Sequence, residues 1–301
     1  MDRGALLAET MRRMTATILS LPGRPKDPEG RPGGLVELSA HERIVIVGDL
    51  HASMESLSAI LEQSGIAADL GLGKARLVFL GDIVHDDRPG HLAEMATSVE
   101  ILERIGELIL NFPGKIVWLR GNHDGFDPPL TKGWVRQGEV FRDEMESLGG
   151  GELVRTAREL FDALPLAVVA ESLILVHAGP PRGGMNAEAV VSARPGSALA
   201  TEMVWNRICP DPGEPGCYSP EDIRASFDAF GMKKEGAFFI VGHNPLWSMG
   251  DGSGLWPDVG MRGHHILYSG ALGRAPWLNL EEGRLTGRFA RVRGLTSSSS
   301  H

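Results

Sequence analysis

Cysteine is nearly absent, with Cys209 and Cys217 the two in 301 residues. So few exclude a disulfide framework, and their spacing in "CPDPGEPGC" is not the C-x-x-C of a redox or zinc pair. They read as a pair of cytosolic thiols in a loop, in preference to a local disulfide. Long apolar runs are missing too, and none approaches the ~18 residues of a membrane span. The opening "MDRGALLAETMRRM" is broken by Glu9, Arg12 and Arg13 before a secretory core can form. The expectation is a cytoplasmic protein with no membrane partner. Basic charge is also short: 30 Lys and Arg against 39 Asp and Glu leave a net charge of −9. Non-specific nucleic-acid binding draws on clustered cations, so no nucleic-acid partner is expected. An anionic substrate must meet positive charge locally. No internal repeat is visible, and "GLGK" at 71 to 74 lacks the form of a nucleotide-phosphate loop.

What is present is ordinary globular composition, 42% hydrophobic and 23% charged, enough for one large domain that buries ~75% of its unfolded surface. Residues 5 to 21 have the pattern of an amphipathic helix, and "PGRPKDPEGRPGG" (22 to 34) reads as a Pro/Gly linker, which places the start of the catalytic domain at 35 and its end at 294. The closing residues 295 to 301 read as a disordered tail. Between them recur short apolar runs that stop at glycine or a polar residue: "IVIVGDLH", "LVFLGDIVH", "IVWLRGNHD", "LILVHAG" and "FFIVGHNP". Continuous runs without alternation predict strands covered on both faces. Between strands, Leu92, Met95, Ala96, Val99, Leu102, Gly106 and Ile109 form a helical stripe. "WLNLEEGRLTGRFARV" predicts an antiparallel hairpin turning at Glu282-Gly283 on a sheet edge. The fold class is therefore α/β with mixed sheets.

Ligand groups in open α/β sheets gather at the carboxyl ends of strands, and all five runs end in Asp, Asn or His. Asp49, His51, Asp82, Asn122, His177 and His243 make a mixed oxygen and nitrogen set that suits manganese, iron or zinc better than calcium or magnesium. Six ligands exceed one tetrahedral ion and suit two ions sharing a carboxylate, the arrangement that recurs in phosphate-ester hydrolysis. Four positive charges against two carboxylates would make the site electropositive inside an acidic chain.

The ordered series "GDLH", "GDIVHDDR", "LRGNHD", "VHAG" and "GHNP", over roughly residues 42 to 270, resembles the calcineurin-like metallophosphoesterases, and within them the phosphoprotein phosphatase branch, bacterial and bacteriophage enzymes above all. "MVWNR" (203 to 207) and "ALPLAVV" are similar to segments of the same group. The resemblance implies a layered α/β/β/α sandwich with helices flanking the sheets. It implies two divalent ions, manganese first and iron or zinc next, one held by Asp49, His51 and Asp82, the other by Asp82, Asn122, His177 and His243. Asp82 is then the bridge. His123 takes the role of the acid that protonates the leaving oxygen, and Arg207 and Asn122 contact the substrate phosphate. The implied reaction is hydrolysis of phosphoserine or phosphothreonine, and of phosphotyrosine, by direct attack of a metal-bound hydroxide.

One block departs from the family. Its usual Gly-Asp-x-Val-Asp-Arg-Gly is here Gly81-Asp82-Ile83-Val84-His85-Asp86-Asp87-Arg88. His85 stands in place of the aspartate that steadies the catalytic histidine, and a neutral imidazole cannot stabilise an imidazolium by charge. Arg88, two positions late, becomes the candidate for the phosphate-binding arginine. Lys132, Trp134 and Arg136 follow "GNHD" as candidates for the cleft rim. Two rival readings stay open: a hydrolase of small molecules such as dinucleoside polyphosphates or phosphodiesters, and a metal-binding interaction protein that has lost catalysis. The sequence does not specify an oligomeric state.

Overall fold

The five apolar runs become parallel strands of two different sheets. The computed structural model describes residues 2–39, 42–127, 130–209, 213–233, 235–247, 252–270 and 273–292. In chain order the elements are α1 (Arg3–Leu19), β1 (Leu35–Glu37), β2 (Arg43–Val47), α2 (Met54–Ser64), α3 (Ile66–Gly71), β3 (Ala75–Phe79), α4 (Ala96–Asn111) and β4 (Ile116–Trp118). A small hairpin, β5 (Thr131–Lys132) and β6 (Val135–Arg136), precedes the long α5 (Gln137–Ala163), β7 (Ala167–Ala170) and β8 (Leu173–Val176). Then come α6 (Ala187–Ser192), α7 (Ala198–Trp205), β9 (Arg207–Ile208), β10 (Cys217–Tyr218), α8 (Pro220–Ala229) and β11 (Phe238–Val241). The chain closes with β12 (Leu255–Trp256), β13 (His264–Leu267), β14 (Arg274–Glu281) and β15 (Arg284–Arg291).

One sheet has the order β15-β14-β2-β3-β4 and the other β1-β7-β8-β11-β13-β12, and both mix parallel and antiparallel pairs. Side chains alternate across a strand. Val168, Leu173, Leu175, Ile240 and Leu267 of the second sheet accordingly join the core formed by the first sheet. Their neighbours Ile174, Val176, Phe239, Val241 and Ile266 pack outward on Val190, Met203, Ile223 and Phe227 of α6, α7 and α8. The result is the layered α/β/β/α sandwich with helices flanking mixed sheets. The hairpin turn falls where the sequence places it, with Glu282 and Gly283 both at positive φ, 50° and 72°, and β15 on the sheet edge.

The N-terminal segment packs into this body rather than preceding it. Leu7, Met11, Met14 and Ile18 of α1 are buried in the first core, and Gly4 lies so close to the Leu148 carbonyl that a Cβ there would sit 2.1 Å from its oxygen. That approach uses a break in α5, where Gly149 and Gly150 leave helical geometry. The 22 to 34 stretch is tied down by the buried carboxylate of Asp27, which pairs with both Arg31 and Arg194. The tail 295 to 301 lies outside the described residues.

The cysteine reading is corrected: Cys209 and Cys217 form a disulfide, with Cα atoms 5.5 Å apart. The spacing suggested a free loop, but β9 pairs with β10 and brings Cys217 opposite Arg207, two residues from Cys209. Among the described residues no helix is long and apolar enough to cross a membrane.

Candidate metal centre

Each apolar run delivers one or two polar side chains to a common point between the two sheets. β2 leads into Asp49 and His51, β3 into Asp82, β4 into Asn122 and His123, β8 into His177 and β11 into His243. The turns that aim them are strained: His51, Asp82, His85 and His243 all have positive φ, at 44°, 50°, 67° and 56°. Non-glycine residues there cost on the order of 1–3 kcal/mol each and persist only where surrounding bonds over-determine them. Here the backbone amides of Leu50 and His51 both donate to the Asp82 carbonyl, at 3.1 and 2.9 Å, and those of Ser269 and Gly270 to the Asp49 carbonyl, at 3.0 and 2.7 Å. Gly242 is required by crowding, since a Cβ there would lie 2.0 Å from Oδ1 of Asp49.

Two triads of ligand atoms result, Asp49 with His51 and Asp82, and Asp82 with His177 and His243, each with all atoms within 4.8 Å of one another. Asp82 belongs to both. Asn122 joins the second, its Oδ1 2.9 Å from Nε2 of His177. The ring orientations are set from behind. Nδ1 of His51 donates to the His85 carbonyl at 3.0 Å and Nδ1 of His177 to the Leu80 carbonyl at 3.0 Å, which turns both Nε2 atoms inward. Oδ2 of Asp49 accepts the amide of His243 at 2.9 Å. Its Oδ1, and Nε2 of His243, are buried with no hydrogen-bond partner. Buried polar atoms are almost always satisfied, so two orphans, one in each triad, fit a pair of bound cations.

Charge tells the same story. Burial pushes the Asp49 carboxyl up to about 7 and that of Asp124 up to about 6. Burial alone would lower His177, yet Asp82, Asp49 and Asp124 hold it up at about 9. Burial opposes ionisation of Asp82 as well, but His177, His123 and His51 keep it well below the usual range. The buried carboxylates thus recruit positive charge from His177, a role that divalent cations fill better. Burial lowers His123 to about 3, with the charges of His51 and Lys132 adding to the effect and Asp82 opposing it.

His85 does reach His123, Nδ1 to Nδ1 at 3.3 Å, and burial holds it neutral. Arg88, expected at the phosphate, does not join the site. Its guanidinium is a fork on Asp86, with Nε 3.0 Å from both oxygens. Asp86 is fully buried, and a buried carboxylate holds its nearest cation. Of the rim candidates, Lys132 lines the cavity, whereas Trp134 is 98% exposed and Arg136 pairs with Glu139. Arg207 lines the cavity too and donates from Nη1 to the His243 carbonyl at 3.0 Å. The cavity holds about 500 Å³, and Trp205, Trp247 and Tyr268 line it together with the ligands.

Sequence reasoning missed Asp124. Its carboxylate accepts from the amides of Asp82 (3.0 Å), Ile83 (3.1 Å) and Gly121 (2.8 Å) and from the Trp118 indole (3.2 Å), locking the β3 and β4 turns together. The signal was the acid directly after His123. Tyr268 was missed as well, because it meets Asp87 only in space, where the tyrosine hydroxyl donates to the carboxylate.

A match to the calcineurin-like phosphoesterase family spans residues 42–268. The chain belongs to that family. It is 28% identical over 209 residues to the serine/threonine-protein phosphatase 4 catalytic subunit of Kluyveromyces lactis, covering 67% of this chain and 56% of that one. Against the serine/threonine-protein phosphatase 6 catalytic subunit of Caenorhabditis elegans it is 30% identical over 138 residues, 45% of this chain and 36% of that one. The chain therefore spans about half or less of these relatives' lengths. In fold it is similar to a Saccharomyces cerevisiae protein serine/threonine phosphatase with similarity to human phosphatase PP5, at TM-score 0.72 and 14% identity over 98% of this chain and 91% of that one. It is also similar to a cold-active protein-tyrosine phosphatase of a psychrophilic Shewanella, at TM-score 0.55 and 14% identity over 91% and 85%.

Proposed function

We propose that this protein is a dinuclear-metal phosphomonoesterase acting on phosphoproteins, with phosphoserine and phosphothreonine as substrates and phosphotyrosine next in order. The observation that carries the reading is the sharing of Asp82 between two ligand triads, each of which contains an orphaned buried ligand atom. Asp49, His51 and Asp82 would hold one ion, and Asp82, Asn122, His177 and His243 the other. The mixed oxygen and nitrogen donors suit manganese first, with iron or zinc as alternatives. When bound, such ions supply Lewis acidity and lower the pKa of water at neutral pH.

The chain's own residues do the rest. Arg207 brings a planar fork to the phosphoryl oxygens from a position fixed by the His243 carbonyl, while Asn122, which lines the same cavity, contacts the same group. His123 delivers a proton to the departing oxygen. A phosphate dianion in the cavity supplies the negative charge that His85 lacks and raises the His123 pKa from its buried value. The relatives' names support a protein substrate. A cytoplasmic location belongs to the same proposal. There the thiol pool would keep Cys209 and Cys217 reduced, so a bond between them would report oxidation.

The test is elemental analysis of the purified protein beside a panel of phosphoserine, phosphothreonine and phosphotyrosine peptides, mononucleotides and dinucleoside polyphosphates. Two equivalents of metal and turnover of the peptides are expected, and Asp82→Asn removes both. Nucleotides outcompeting every peptide would replace the substrate class, and full metal with no turnover of any ester would replace the enzyme by a metal-binding module.

A further inference from the structure

Two cationic side chains line the cavity among the described residues, Arg207 and Lys132. They come from different sheets' loops. Arg207 belongs to β9, after α7, and Lys132 to the β5–β6 hairpin that follows β4. Lys132 does not hang free there. Its ammonium lies 3.2 Å from Oδ2 of Asp87, with the side chain 40% exposed and that of Asp87 21% exposed. The same Asp87 oxygen accepts the hydroxyl of Tyr268, whose ring is tilted at 32° to the ring of His51 with centroids 5.5 Å apart. Asp87, Lys132 and Tyr268 form a chain from the hairpin to a metal-ligand candidate.

From this placement we infer that Lys132 is a second phosphoryl-positioning residue, gripping the substrate phosphate from the hairpin side while Arg207 grips it from the β9 side. The inference rests on the phosphatase reading above and names a residue that reading does not use. An ammonium has three donors, and the Asp87 contact occupies one. Two remain for phosphoryl oxygens without breaking the ion pair. The loop that follows β3 contributes no other cation, because Arg88 is committed to Asp86. Asp87 sets the strength of the grip: it aims Lys132 into the cavity and also offsets its charge. Removing the lysine and removing the aspartate's charge therefore have opposite effects on an anionic ligand, which a merely structural role for this network would not produce.

The experiment uses the manganese-loaded full chain, with inorganic phosphate as the calorimetric probe and a phosphoserine peptide as substrate. Lys132→Met should weaken phosphate binding and raise KM by about tenfold, which is 1.4 kcal/mol at 25 °C, with kcat held within about threefold of wild type. Lys132→Arg should recover most of the loss. Asp87→Asn should tighten phosphate severalfold. Thermal melts of all three check that the fold persists. Wild-type phosphate affinity in Lys132→Met, or weakening by Asp87→Asn equal to that by Lys132→Met, overturns the role of Lys132 while leaving the phosphatase reading intact. A wild-type protein that neither binds phosphate nor turns over the peptide overturns both.

Discussion

The ring of His85 meets that of His123 with Nδ1 atoms 3.3 Å apart. Both imidazoles are held neutral or nearly so by burial, and the far nitrogen of His85, Nε2, is buried without a partner beside the edge-on ring of Phe141, 5.1 Å between centroids. One proton therefore sits between two rings that can each donate or accept it, and no carboxylate fixes its position.

Restoring that carboxylate is the direct test. His85→Asp places a negative charge against His123, which raises the pKa of its imidazolium. His85→Asp also removes the orphaned nitrogen. The protonated, acid-competent form then persists to higher pH. The expected outcome is about a tenfold rise in kcat on a phosphoserine peptide and a high-pH limb of the kcat profile displaced upward. An aryl phosphate, whose leaving group needs no proton, should change far less. Equal changes on both substrates would remove His123 from the acid role.

Asp124 makes a second prediction, about construction rather than chemistry. Three amides from two different turns and the indole of Trp118 on β4 converge on its carboxylate, and Ala at this position leaves all four donors buried without an acceptor. Hydrogen bonds to charged groups contribute about 1.5–3 kcal/mol each, and partial relaxation still leaves a loss of at least ~3 kcal/mol. Denaturant unfolding should show that loss, and metal content should fall with it because the amides of Asp82 and Ile83 lose their anchor. Unchanged stability would mean that the β3 and β4 turns are held by the strands alone.

The division between what the sequence revealed and what it hid follows from how each residue is specified. Asp49, His51, Asp82, Asn122, His177 and His243 were legible because each ends an apolar run, and a buried strand fixes where its end must be. The hairpin at Glu282-Gly283 was legible because its turn needs positive φ. Arg88 misled because its neighbour Asp86 turned out fully buried, and the burial of a single loop carboxylate leaves no periodic trace. The cysteine pair misled for a similar reason: the pairing of β9 with β10 joins residues two long at each side, too short to pattern. Asp87, Lys132 and Tyr268 come from three separate segments, and nothing local to any of them announces the other two.

Gly242 offers a third prediction. A methyl group there would stand 2.0 Å from Oδ1 of Asp49, the oxygen left without a hydrogen-bond partner. Gly242→Ala must push that carboxylate away from the point where the ligands converge. The fold should survive, since the clash is with a side chain, but manganese stoichiometry should drop from two to about one and turnover of an aryl phosphate by about 10³-fold. Two full equivalents of metal in this variant would place Asp49 outside the centre.

The last prediction concerns the disulfide beside Arg207. Cys209 and Cys217 close a loop of sequence separation 8, and two residues before it the Arg207 amide donates to the Gly216 carbonyl inside it at 2.8 Å. The bond therefore clamps the strand that carries the guanidinium next to His243. Reduction by a dithiol opens it to two thiols, with the dithiol oxidised in exchange, and frees β9 from β10. The chain-entropy estimate for so short a loop is about 2.5 kcal/mol of overall stability. Treatment with dithiothreitol, or Cys217→Ser, should raise KM for a phosphopeptide severalfold and leave kcat almost unchanged, because the arginine is loosened rather than lost. In an Arg207→Ala background the same treatment should have no further effect on KM. If reduction acts equally in both backgrounds, the clamp works on something other than Arg207.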